Sequence, residues 1–89
     1  MASGDPFTVN LSGTKNGSNR NFTFPVTPDQ TKHILVVQAG KYLRPMHILD
    51  PGGTVAGGMN WKLTGTVDVE VGMAPVDTNE ALWAQGFES

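Results

Sequence analysis

The chain has 89 residues, no cysteine, and six basic against eight acidic residues for a net charge of −2. That length holds one domain with one small core, and the missing cysteine excludes disulfides, thiol catalysis and Cys-ligated zinc. Only 16% of residues are charged, against roughly 25% in an average soluble domain. With no basic stripe to meet phosphates, neither nucleic acid nor an anionic membrane is an expected partner.

The opening MASGDPFTVN carries no basic n-region and no apolar h-region, so no signal peptide is read and cytoplasmic expression is expected. Residues 1–6 are expected to form a flexible arm on a single domain spanning 1–89. Phe7, Val9 and Leu11 then alternate with Thr8, Asn10 and Ser12, the period of a half-buried strand. Residues Gly13 to Asn21 have no apolar side chain and include Asn16-Gly17, which predicts a loop with a mobile tip. Phe22, Phe24 and Val26 alternate again, and Pro25 confines that strand to an edge. The two strands and their polar connection predict a hairpin. Asn10, Asn16 and Asn21 each start an N-glycosylation pattern, read here as a by-product of an Asn- and Thr-rich composition.

Pro28 and Asp29 mark a turn. Ile34 to Val37 is an unbroken apolar run, which predicts a central strand covered on both faces. A strand from about Met46 to Leu49 is expected antiparallel to it. Four glycines fall between Gly52 and Gly58, a flexible β connection; no Lys-Ser or Lys-Thr follows them, so it is no phosphate loop.

From Met59 to Met73 the apolar residues Met59, Trp61, Leu63, Val67, Val69, Val71 and Met73 all fall at odd positions. A two-residue turn at Gly65-Thr66 would oppose Leu63 to Asp68 and mix apolar with charged side chains on one face. A three-residue loop, Thr64-Gly65-Thr66, would restore parity but leaves Thr66 where that loop wants glycine. One continuous strand, bent at Gly65, is therefore the favoured reading. At the end, Asp77 with Glu80 resembles a capping box, Ala81 to Ala84 favour helix and Gly86 stops it. A short helix over 78–85 is expected, docking Leu82 and Trp83 on the sheet.

Chemistry-bearing residues are few. His33 and His47, with Asp50 as a third ligand, have no metal-ligand spacing. Asp68 and Glu70 share one strand face, beside Lys62, and read as a solvated surface rather than a calcium or glycosidase pair. No Gly-x-Ser-x-Gly occurs. No catalytic residue, metal or cofactor is assigned, and an enzyme is not expected.

The expected fold is mainly β: a compact antiparallel β-sandwich or small barrel of about six strands, closed by the short C-terminal helix. The expected core is Phe7, Val9, Leu11, Phe22, Phe24, Ile34, Val36, Ile48, Trp61, Leu63, Val67, Val69 and Val71. The composition points to a structural or interaction protein, a self-assembling homo-oligomer, trimeric by preference. A subunit of a larger assembly such as a viral capsid decoration or fibre-head protein would fit, which would place it in a virion. The second reading is a carbohydrate-binding module, with the Asn- and Gly-rich loops and an exposed aromatic meeting a glycan. Candidate contact residues are Trp83, Leu82 and Phe87 near the C-terminus, Tyr42 and Arg44, and Trp61.

Overall fold

A computed structural model describes residues 4–46 and 53–89. The elements defined among these residues are all strands: β1 (Pro6–Asn10), β2 (Asn21–Thr23), β3 (Leu35–Gln38), β4 (Lys41–Tyr42), β5 (Arg44–Pro45), β6 (Asn60–Leu63), β7 (Asp68–Val71) and β8 (Leu82–Phe87). They form two four-stranded sheets, β1-β8-β3-β4 and β2-β7-β6-β5, called A and B below. All neighbours are antiparallel except β5 and β6.

The core lies between the sheets. Phe7, Val36, Leu82 and Ala84 of sheet A and Phe22, Trp61, Val69 and Val71 of sheet B belong to one buried cluster with Leu11, Phe24, Ile34 and Leu43. Phe24 sits edge-on between Phe7 and Trp61, at centroid distances of 6.0 and 6.4 Å, a geometry that suits aromatic quadrupoles. Val9, Leu63 and Val67 of the expected core are half-buried against this cluster. Ile48 lies outside the described residues, as do His47, Asp50 and all but Met46 of the strand expected from Met46 to Leu49.

Four expectations are corrected. The C-terminal helix is absent: residues 82–87 form β8, the strand between β1 and β3 in sheet A. Its burial alternates, with Leu82, Ala84 and Gly86 inward. A Cβ on Gly86 would stand 3.2 Å from Phe7 Cζ, so only the smallest residue fits under that ring. Asp77 and Glu80 make a turn instead of a cap, with Asp77 Oδ1 accepting from Asn79 N at 2.8 Å.

Second, Met59 to Met73 is a hairpin, not one strand. Trp61 pairs with Val71, Lys62 with Glu70 and Leu63 with Val69. Thr64 N donates to Asp68 O at 2.8 Å, which leaves Gly65, Thr66 and Val67 as the connection. The parity argument holds, because every pair matches odd with odd or even with even. The register is two residues beyond the three-residue loop considered from the sequence.

Third, β1 and β2 do not form a hairpin. Each joins a different sheet, and they touch only through Ser12 and Thr23, which exchange two 2.8 Å backbone bonds. The reversal needs Gly13, whose Cα faces the ring of Phe22 so closely that a Cβ would overlap it. The connecting loop is held by its own amides. Asn16 Oδ1 accepts from Ser18 N and Asn19 N, and the Asn19 amide bonds Thr14 O, Asn21 O and Asn21 N.

Fourth, the run Ile34 to Val37 is not covered on both faces: Ile34 and Val36 are buried while Leu35 and Val37 are half-exposed on the outside of the sheet. The strands among the described residues also number eight, against the six expected. Of the arm expected over residues 1–6, Gly4 N donates to Glu88 O and Asp5 O accepts from Glu88 N, so the described part is tied to the C-terminal strand.

The two sheets are linked at their corners: Ser12–Thr23 bridges the chain beyond β1 to β2, and Leu43, buried, carries the chain from β4 in sheet A directly into β5 in sheet B. Among the described residues β1 pairs with β8 alone, so Pro6–Asn10 presents an open outer edge.

Candidate interaction face

The register of sheet A dictates what its outer surface presents, because directly opposed residues point the same way. Tyr42, Val37, Trp83 and Asn10 fall in one row across all four strands. Leu35, Gln85 and Thr8 make the next row, and Phe87 with Pro6 the third. Five of these nine side chains are large and apolar or aromatic, and none is charged. Tyr42 is 47% and Phe87 40% exposed, while Trp83, Leu35 and Val37 are half-buried by one another.

At the lower end of this face Pro6, His33, Leu35, Gln85, Gly86 and Phe87 line a shallow, mainly apolar hollow of about 250 Å³. Gly86 contributes backbone to its lining, since its Cβ direction points inward to Phe7. Lys32 Nζ lies 5.2 Å from the centroid of the Phe87 ring, a cation–π contact at the rim.

Sheet B presents the opposite chemistry. Its outer rows contain Asn21, Glu70 and Lys62, then Thr23 and Asp68, then Asn60 and Arg44. Glu70 accepts from Arg20 at 2.7 Å and lies 3.9 Å from Lys62 Nζ. Its charge is therefore matched on its own sheet, and Asp68 beside it is exposed. Among the described residues no group of three His, Asp or Glu side chains is placed to hold a metal ion.

The candidate contact residues divide accordingly. Trp83, Phe87 and Tyr42 come together on the outer face of sheet A. Arg44 does not join them: Leu43 turns inward between Tyr42 and Arg44, so the arginine emerges on sheet B. Leu82 and Trp61 are excluded from any surface role, both being 0% exposed in the core. Leu35 and Val37 belong to the face and were missed. Their signal was the unbroken apolar run itself, which places apolar side chains on both sides of one strand.

The second apolar feature is an end cleft of about 230 Å³ bordered by Met59, Met73, Ala74 and Val76 with Gln38, Ala39, Lys41 and Glu80. Gln38, 6% exposed, spends its amide on Met73 O at 2.9 Å and Glu80 Oε2 at 2.7 Å. These bonds tie the connection between β7 and β8 to β3 and make the polar side of this cleft a structural clasp. In comparison with known proteins, the chain matches no family model, no curated protein and no solved structure.

Proposed function

We propose that this protein is a non-enzymatic structural subunit that assembles by burying the outer face of sheet A against a second copy of itself. The observation that carries the reading is the contrast between the two outer faces: one uncharged and apolar across four strands, the other carrying the charged residues of its strands. A contiguous apolar patch on a small protein marks an interaction surface. An uncharged face also meets its own copy without like-charge repulsion, as a symmetric contact requires. Strand addition at the open edge of β1 is the competing route, and it would survive a change at Trp83.

The size of the face sets the strength. The strands of sheet A, with 5, 6, 4 and 2 residues in β1, β8, β3 and β4, outline roughly 280 Å² at about 4.8 by 3.4 Å per residue. A standard interface uses about 800 Å² per partner. Association through this face alone is therefore concentration-dependent, and seating in a larger protein assembly, such as a viral decoration, would add the remaining area. Face-to-face contact gives pairs, whereas a trimer requires a second surface.

Light scattering after size exclusion, over a range of concentrations, tests the reading. Mass above the 9.5 kDa monomer that falls on dilution, and is lost in Trp83→Lys, is expected. A monomer at every concentration rejects it. The alternative is a glycan platform: Trp83 stands between the Val37 and Asn10 positions, with Gln85 two residues on and Tyr42 exposed, so aromatic planes and amides share one surface. A glycan screen in which a monomer binds and Trp83→Ala does not would favour it. The Asn-rich loop supports it less, since the Asn16 and Asn19 amides are engaged within the loop.

A further inference from the structure

Asn-Gly is the dipeptide most prone to succinimide formation, because glycine offers no side chain to hinder attack by its own amide nitrogen. The chain has one such pair among the described residues, Asn16-Gly17, at the exposed tip of the loop between β1 and β2. The surroundings act on the two reacting groups in opposite directions. Asn16 Oδ1 accepts from the backbone N–H groups of Ser18 and Asn19, both at 2.9 Å. Negative charge developing on that oxygen would be stabilised, as two backbone donors stabilise an oxyanion in an acyl-transfer site. The nucleophile, however, is engaged. Gly17 N–H donates to Pro75 O at 2.8 Å, and Pro75 is fully buried. The Gly17 amide must lose its proton to attack, and that proton is held by an anchored carbonyl.

We propose that Asn16 is a deamidation site held closed by the Gly17–Pro75 hydrogen bond and opened by release of the loop. Once the bond is broken, base removes the Gly17 amide proton and its nitrogen attacks Asn16 Cγ. The Cγ–Nδ2 bond then breaks and ammonia leaves. Water hydrolyses the resulting succinimide at either carbonyl, giving aspartate or isoaspartate at position 16. No oxidant or reductant takes part. Isoaspartate adds a backbone atom and moves the carboxylate, so the acceptor shared by Ser18 and Asn19 is lost and the loop cannot close again. The product therefore accumulates irreversibly in proportion to the fraction of time this corner is open.

The loop's own clasp supplies the test. Asn19→Ala removes the bonds to Thr14, Asn21 and the Asn21 amide without touching Asn16, Gly17 or the core. The folded wild type, its urea-unfolded chain and folded Asn19→Ala are incubated in mildly alkaline buffer, and conversion at position 16 is followed by peptide mapping. The folded wild type is expected to react at least about tenfold more slowly than the unfolded chain, the factor set by about 1.4 kcal/mol of opening free energy. Asn19→Ala is expected to move toward the unfolded rate while keeping its buried-tryptophan fluorescence. Equal rates in folded and unfolded wild type overturn the proposal, and so does full protection in a folded Asn19→Ala. Hydrogen exchange at the Gly17 amide gives the independent check, should the variant not fold: slow exchange is required, and exchange at the random-coil rate refutes the closed state.

Discussion

Gly72 follows β7 and is buried under the segment that leads into β6. A Cβ there would meet the carbonyl oxygens of Gly58 and Val55 far inside van der Waals contact, and Gly58 C at 2.9 Å. Those atoms are backbone, and no rotamer relieves the clash. The neighbouring chain is also fixed: Gly57 N donates to Gly72 O, and Gly72 N to Asn60 O, both at 2.8 Å. Displacing it costs about 1–3 kcal/mol in overpacking and about 1–3 kcal/mol for each buried polar group left unpaired. A loss of about 3–5 kcal/mol follows for Gly72→Ala, out of roughly 4–13 kcal/mol for a domain of this length. Equilibrium urea unfolding, read by tryptophan fluorescence, should show the midpoint falling by about 2–5 M, with a slope near 1–1.5 kcal/mol per M. Gly40→Ala is the reference. Nothing lies within 4 Å of its Cβ, but φ is +78°, so the loss is conformational and about 1–2 kcal/mol. A Gly72→Ala loss no larger than that of Gly40→Ala would refute the packing of residues 55–58 on Gly72.

Leu82→Ala should cost about 2–5 kcal/mol because the side chain is fully buried, whereas Gln85→Ala on the outer face should stay within about 0.5 kcal/mol; similar losses at both positions would contradict the strand. Ala39 and Gly40 both have positive φ, 51° and 78°, as a two-residue type I′ hairpin turn requires. Ala39→Asn should therefore raise the unfolding free energy by several tenths of a kcal/mol to about 1 kcal/mol, and a fall would argue against that turn. Asp29 Oδ1 accepts from Thr31 Oγ1 at 2.6 Å and Thr31 N at 2.9 Å, which holds its carboxyl below the ordinary 3.8. A lowered folded value stabilises above the unfolded carboxylate range, and that contribution is lost as pH falls through the folded value. Thr31→Val should raise the Asp29 midpoint toward 3.8 in an NMR titration, and an unmoved midpoint would discard the hydroxyl as the main cause.

Alternation made the faces of most strands legible but not their neighbours. Phe7, Val9 and Leu11 announce a strand, yet nothing local says that its partner begins at Leu82. The β8 signal was hidden by its own packing. Its inward positions are Leu82, Ala84 and Gly86, of which Gly86 must be small under Phe7 and Ala84 is small as well, so the period of two carries almost no hydrophobic contrast. Leu82, Trp83 and Ala84 instead favour helix by intrinsic propensity, which tertiary pairing overrides. The β6–β7 turn was concealed because Val67, although in the connection, still packs against the core and so extends the odd-numbered pattern through the reversal. For the candidate face, Trp83, Tyr42 and Phe87 were legible as large aromatics outside the densest apolar runs. Arg44 was misplaced because one buried residue, Leu43, sends adjacent positions to different sheets.

The pairing of β1 with β8 also sets an order of events in time. β8 is made after β1 to β7, and it lies between β1 and β3. Until it emerges, β1 and β3 have no neighbour to bridge them, and Phe7, Ile34 and Val36 have half their cover missing. Sheet A therefore cannot be built progressively from the N-terminus. A nascent chain must wait with its first strand unpaired, and every contact between β1 and β8 then closes a loop of most of the chain, a topology that folds slowly. In the cell, this places the period of greatest exposure before β8 has been made, when the apolar residues of both faces of sheet A are available to chaperones and to other nascent copies.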